Sequence, residues 1–268
     1  VLSSILFAAT ITSTGTGGNW STTTTWVGGV VPSSTTDVII ADGATVTINA
    51  SPTVLSLQVG QGVSGILTFD ATARAVIVTG NVTVMAGGSF ITQAGTAATH
   101  TLTISGNLTN NGVFDMSQGG TTLVCNVTFN RNGGQTVSGS GGTTRFRNII
   151  LNMGTSYNNI LEISSTNFTA PSTGFVTLTN GTLKMSGSYT FSSVFFTSAT
   201  YAIPASGGFW LNNANVTVTA QVAGGANATN AGYFRITSGT FNVGTAVQEG
   251  IETITTSATP AIWIFEVG

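Results

Sequence analysis

One short template recurs along this chain: an alternating apolar and polar strand, a small turn residue, a second short strand, then a polar or glycine break. Val76-Ile77-Val78-Thr79-Gly80-Asn81-Val82-Thr83-Val84 and Leu102-Thr103-Ile104-Ser105-Gly106-Asn107-Leu108-Thr109-Asn110 are two copies. Val176-Thr177-Leu178-Thr179-Asn180-Gly181-Thr182-Leu183-Lys184 and Phe234-Arg235-Ile236-Thr237-Ser238-Gly239-Thr240-Phe241-Asn242 are two more. From Gly80 to Gly106 is one repeat of about 25 residues, and from Gly106 to Gly181 is three more. Phe209-Trp210-Leu211-Asn212-Asn213-Ala214-Asn215-Val216 reads as an intervening copy, with its turn at Ala214, one such repeat before Gly239. A unit this small cannot hide its own apolar side. Repetition at a fixed period therefore predicts stacking, each copy forming one coil of a solenoid.

The remaining patterning agrees. Period-two alternation appears in Val38-Ile39-Ile40, Thr45-Val46-Thr47-Ile48, Ala75-Val76-Ile77-Val78 and Val216-Thr217-Val218-Thr219, and no long window carries a helical spacing. Gly, Asn and Ser close each run and suit tight corners. The expected fold is all-β: a parallel β-solenoid, in its right-handed β-helix form, with short strands and an N-terminal cap. An antiparallel sandwich array would also supply short strands, but it would not predict a phase shared across the chain.

Only 5% of the residues are charged, against about 25% in an ordinary soluble domain. In a solenoid, equivalent side chains sit directly above one another at the ~4.8 Å strand spacing. Like charges there repel, whereas Thr, Asn and Val columns pack or hydrogen-bond. The low charge is thus what stacking favours. The 41% hydrophobic content and 15 Phe exclude a disordered chain. The longest clean apolar run, Ile5–Ala9, is far below the ~20 residues of a membrane-spanning helix. Six basic residues without a cluster argue against nucleic acid as a partner. The single Cys125 excludes an intramolecular disulfide and reads as a buried structural thiol.

Residues 1–9 resemble the end of a secretory leader, with Ile5 and Phe7 in the apolar stretch. The alternative is an apolar strand that docks on another element. Both place the chain outside the cytoplasm, secreted or at a cell surface. Residues 10–50 are expected to cap the stack and residues 51–268 to form its coils. The first coil of a solenoid exposes ladder groups and apolar interior. Trp20 and Trp26 are large enough to plug it, and Pro32 can end pairing. The rival role for the two indoles is a sugar-stacking platform. At the other end Ala261-Ile262-Trp263-Ile264-Phe265-Glu266-Val267-Gly268 is a strongly apolar strand. Trp263 and Phe265 there, with Ile5 and Phe7, suggest continuation into a larger chain or head-to-tail self-association by strand addition.

The most distinctive stretch runs from Gly18-Asn19-Trp20 through Trp26-Val27-Gly28-Gly29-Val30-Val31-Pro32 to Asp37-Val38-Ile39-Ile40 and Gly43-Ala44-Thr45-Val46-Thr47-Ile48. Its Trp-x5-Trp-x-Gly-Gly-x-x-Pro element resembles the opening of secreted surface and adhesin proteins of the Bacteroidetes type and the related start of G8-type domains. The resemblance implies secretion and a surface, fibre or adhesive role, with surface glycans as candidate partners. It implies no single activity.

Enzymatic chemistry on a β-helix needs paired carboxylates or acidic calcium ligands beside a base. Here Asp37, Asp42, Asp70, Asp115, Glu162 and Glu266 are isolated, and Glu249 and Glu252 share a loop that reads as a solvated turn. Asp70 and Arg74 are placed to pair locally. His100, the one histidine, falls a single repeat after Arg74, on the next coil, and reads as an exposed loop residue. No catalytic, cofactor or metal site is expected. The Asn-x-Ser/Thr triplets are no more frequent than this composition produces by chance. Thr-x-Thr elements raise ice binding as a rival, yet they do not recur at one coil period. The expected function is a non-catalytic stalk, fibre subunit or surface-layer element. The alternative is a β-helix that binds or degrades carbohydrate.

Overall fold

The computed structural model describes residues 8–93, 97–118, 122–171, 173–196, 202–219, 227–242, 250–253 and 261–266. Every ladder between its strands is parallel, and the strands stack as a solenoid of about nine turns. Among the described residues there is no α-helix, only a 3-10 turn at Thr23–Thr25. No described helix is long and apolar enough to cross a membrane.

Each full coil presents three faces. On the first, Val38, Leu57, Val82, Leu108, Val137, Ile163, Met185, Leu211 and Ile236 form one column, each in register with the next. Strands on the second face run from Gly17–Asn19 to Phe168–Thr169, with Val46, Leu67, Phe90, Phe114, Thr144 and Phe168 in register. The third face begins at Thr53–Val54 and stacks Val54, Val78, Ile104, Phe129, Leu151 and Leu178. Nearly all of these side chains are buried. A side chain that alternates inward on every rung turns period-two patterning into a continuous apolar core. Thr144 is the polar member of its column, and the Asn110 amide satisfies it with a 2.9 Å hydrogen bond to Oγ1.

Corners are built from backbone stacked on backbone. The Gly106 N–H donates to the Gly80 carbonyl at 2.9 Å, and a Cβ at Gly106 would collide with that carbonyl. Beside it the Asn81 side chain accepts the Asn107 N–H at 2.8 Å, and the Asn107 side chain accepts the Thr136 N–H at 3.0 Å. The three-coil step from Gly106 to Gly181 agrees with the ladder. The next assignment needs correction: Gly181 is in register with Gly207, not Ala214. Ala214 and Gly239 belong to the following corner, where Asn212 pairs with Ser238. Strand, small residue, strand is the form of both of these corners, so the pattern does not say which of them it marks.

Rung pairing starts ahead of residue 51. Ala9–Thr12 pairs with Thr36–Ile40, and Gly17–Asn19 with Thr45–Ile48. Coil length varies: the turn that brings Val38 onto Leu57 is far shorter than the one that brings Phe114 onto Thr144. The variation falls in the corners between paired strands.

Candidate functional site

The second face is interrupted once. Phe168–Thr169 pairs with Thr143–Arg145 below it, and Phe191–Val194 pairs with Val216–Thr219 above it, but among the described residues no ladder joins the two rungs. Inside, Tyr189 and Phe191 of the upper rung both pack on Phe168 of the lower one, at 5.4 and 5.2 Å between ring centroids. A surface groove of about 460 Å³ opens there, lined chiefly by Thr143, Arg145, Asn167, Thr169, Ser188 and Thr190. Phe168 and Tyr189 form its floor and are buried. Arg145 is the one charged lining residue, and Asp115 on the rung below holds it at 3.1 Å. The Asp115 carboxylate also accepts the Ser117 N–H. The groove is therefore close to neutral and rich in hydroxyl and amide groups.

On the outer surface of the first face, Glu162, Lys184, Trp210 and Arg235 occupy successive rungs at one position. Lys184 Nζ lies 4.4 Å from the Trp210 ring centroid and Arg235 Cζ 4.2 Å, so the indole is held between two cations. Lys184 reaches Glu162 at 2.9 Å, and Arg235 pairs with Glu266. Burial pushes the Glu162 carboxyl up, but hydrogen bonds from Lys184 and Ser186 outweigh it and hold it below its usual range. In the stack Glu162 and Lys184 pair on adjacent rungs, and the indole of Trp210 separates two cations that would repel if adjacent.

Each acid whose side chain is described has a structural partner. Asp42 accepts the N–H groups of Gln61 and Ser64, at 2.7 and 3.0 Å, and these hold it below its ordinary range. Asp70 pairs with Arg74 as the spacing predicted, with Arg74 Nε 2.9 Å from Oδ1, and this bond holds the carboxyl low. Asp37 accepts the Ser56 hydroxyl. Glu249 and the Glu252 side chain lie outside the described residues. Among the described residues no cluster of three metal-ligating side chains exists.

His100 corrects its sequence reading. It is not exposed in a loop but wholly buried in the strand Ala98–Ile104. It does sit one coil above Arg74, whose N–H donates to its Nδ1 at 3.1 Å. Alternation along Thr99-His100-Thr101-Leu102 turns His100 inward with Leu102. Cys125 occupies the equivalent position on the next rung, buried as expected, and burial pushes its thiol pKa well up.

Trp20 and Trp26 lie edge to face at 4.9 Å, and both are buried. Trp26 Nε1 donates to the Trp20 carbonyl at 2.8 Å. Backbone bonds from Thr14 to Thr25 and from Val27 to Thr12 tie this segment antiparallel to the end of the first strand. It stands below the level where the third face begins. Pro32 is buried too. Indoles 1% and 2% exposed offer no face to a sugar, so the stacking-platform alternative does not fit. Ile5 and Phe7 lie outside the described residues, as does the Trp263 side chain. Phe265 is 63% exposed, against Phe234 at 6.1 Å.

Sequence reasoning missed the groove and the charged column. No local signal marks either, because their members lie a whole coil apart along the chain and meet only through register.

Residues 25–109 match the G8 domain family model, less than half of the chain. The match starts beside Trp26 and ends on the first face at Thr109, so it covers the first few coils and His100. No curated protein and no solved structure matches the chain. G8 domains occur in extracellular proteins, and this match together with the solenoid fits an extracellular structural protein.

Proposed function

We propose that the chain is a secreted, non-catalytic scaffold: a stalk, fibre subunit or surface-layer element, with Trp20, Trp26 and Pro32 capping its first coil. One observation carries this reading. Every described carboxylate is committed to a cation, a hydroxyl or backbone N–H groups, which is the work of a rigid rod rather than of proton transfer. Incubation with a panel of polysaccharides should release no reducing ends. Turnover lost on Asp115→Asn or Glu162→Gln would overturn the reading. About nine turns at the ~4.8 Å spacing give a stack on the order of 45 Å, a dimension to look for in negative-stain images.

The hydroxyl-lined groove favours a second reading, in which the scaffold also holds a surface glycan. Binding on a glycan array that weakens in Asn167→Ala and Thr169→Ala supports it, and an array without signal removes it. Self-association is a further part of the proposal. Among the described residues Ile262–Phe265 has one ladder partner, and the outer edge of Ala9–Thr12 is covered only from Thr12 onward, by Thr25–Val27, so Ile262–Phe265 and Ala9–Ile11 each have an edge able to accept a strand. Deleting residues 1–10 should abolish any filaments seen by electron microscopy, and unchanged filaments would refute this route.

A further inference from the structure

The buried imidazole is the feature that a passive scaffold does not require. His100 Nδ1 accepts the backbone N–H of Arg74, so the ring proton of the neutral form resides on Nε2. Nε2 is buried and has no hydrogen-bond partner. The ring stacks on Phe69 at 4.3 Å between centroids, with 18° between planes. Phe69 ends a second-face strand, Arg74 precedes the third-face strand Ala75–Val78, and the corner between them is Asp70–Arg74. One side chain from the coil above thus grips both ends of that corner. Its neighbour Thr101 adds a 2.8 Å bond from its N–H to the Arg74 carbonyl.

We propose that His100 is an acid-sensitive latch: its neutral imidazole clips the Asp70–Arg74 corner to the next coil, and protonation releases that corner. The chemistry follows from the donor inventory. A protonated ring is a donor at both nitrogens, so Nδ1 would confront the Arg74 N–H instead of accepting it. The charge would also sit in an apolar interior against Phe69.

Three titratable or charged groups face the ring from the packed elements. Asp70 and Arg74 stand on the rung below and Cys125 on the rung above. Cys125 is a neutral thiol. Asp70 favours the imidazolium and Arg74 opposes it, and the two are already paired with each other. Burial is the largest influence and holds the imidazole below its ordinary range. The unfolded chain therefore binds a proton below about pH 6.5 that the folded chain resists. Stability is fully present above that pH and is lost as pH falls below it. Asp70, held low by Arg74, stays ionised across the same window.

Because the chain holds one histidine, the test is clean. Denaturant unfolding of the full chain should give an unfolding constant that rises by up to about tenfold per pH unit below pH 6.5. Hydrogen exchange corrected for intrinsic rates should show Arg74 and Thr101 losing protection over the same range, with Leu67 unchanged. His100→Gln, whose carbonyl can accept the Arg74 N–H without titrating, should flatten both responses between pH 7.5 and 5. Equal pH dependence in the two proteins would overturn the latch. Should the variant not fold, an NMR titration of the single imidazole decides: a midpoint well below 6.5 supports the proposal, and one at or above it refutes it.

Discussion

The lower coils, residues 36–152, and the upper coils, residues 175–266, stack in the same direction but are held together differently. In the lower coils the strands are short and separate, and Gly-on-Gly and Asn-on-Asn contacts lock the corners, as at Gly80–Gly106 and Asn81–Asn107. Their first and third faces are filled chiefly by Val, Ile and Leu columns. In the upper coils Val176–Met185, Gly207–Thr219 and Tyr233–Asn242 run round a corner as single strands. Interlocking rings fill the interior there: Phe175, Phe195, Phe209, Phe234 and Phe241 all lie within aromatic contact of a neighbour. Outside, the Glu162–Lys184–Trp210–Arg235 column ties successive rungs, and Arg235 pairs with Glu266 beyond it. The difference is one of degree: Phe69, Phe90, Phe114 and Phe146 also form a ring-to-ring run in the lower interior, and Gly232 also stacks against the Gly207 carbonyl above. The interrupted second face and its groove lie between the two regions.

The sharpest way to break this contrast is to remove a ring. Phe209→Ala should cost about 3–5 kcal/mol, whereas Ile48→Val in the lower interior should cost only about 0.5–1.5 kcal/mol. Solenoid coils contact only their neighbours, so the damage should stay local. Hydrogen exchange should show the upper coils loosened and Val46 still protected. Trp26→Ala belongs to the same size class, about 3–5 kcal/mol, since it removes the partner ring and the bond to the Trp20 carbonyl. It should expose the first coil, read as new dye binding and aggregation.

Next in size is the corner. Gly106→Ala drives a methyl into the Gly80 carbonyl and should cost about 1–3 kcal/mol in urea denaturation. Gly134→Ala meets open space and should be neutral or stabilising by up to about 1 kcal/mol. If both glycines tolerate alanine equally, backbone stacking does not set the lower register.

The smallest effect belongs to the outer column. Glu162→Gln should cost no more than about 1 kcal/mol, because its pair with Lys184 is partly solvated. The Glu162 carboxyl titrates below its usual value in the folded chain. Its contribution is thus present above about pH 4.3 and lost as pH falls through the lower folded value. Raised salt should shrink the difference between wild type and variant.

Much of the fold was legible along the chain. The Gly80 and Gly106 copies, the alternation of Val76-Ile77-Val78 and the scarcity of charge all point to stacked coils, because each is a property of neighbouring residues or of one period. The Asp70–Arg74 pair and the buried Cys125 were readable on the same grounds. His100 was misread because a histidine after Ala97-Ala98-Thr99 carries the same local signal whether it faces solvent or core. The groove and the Trp210 column were invisible because their residues are strangers in sequence.

The chain's own pattern determined strand direction, an approximate coil period and a neutral exterior, since these follow from backbone preference and from what stacks without repulsion. Which residues face each other across coils was decided only in three dimensions. Each corner absorbs a different length of chain, as the unequal turns from Val38 to Leu57 and from Phe114 to Thr144 show, and one shift in a corner renames every neighbour above it.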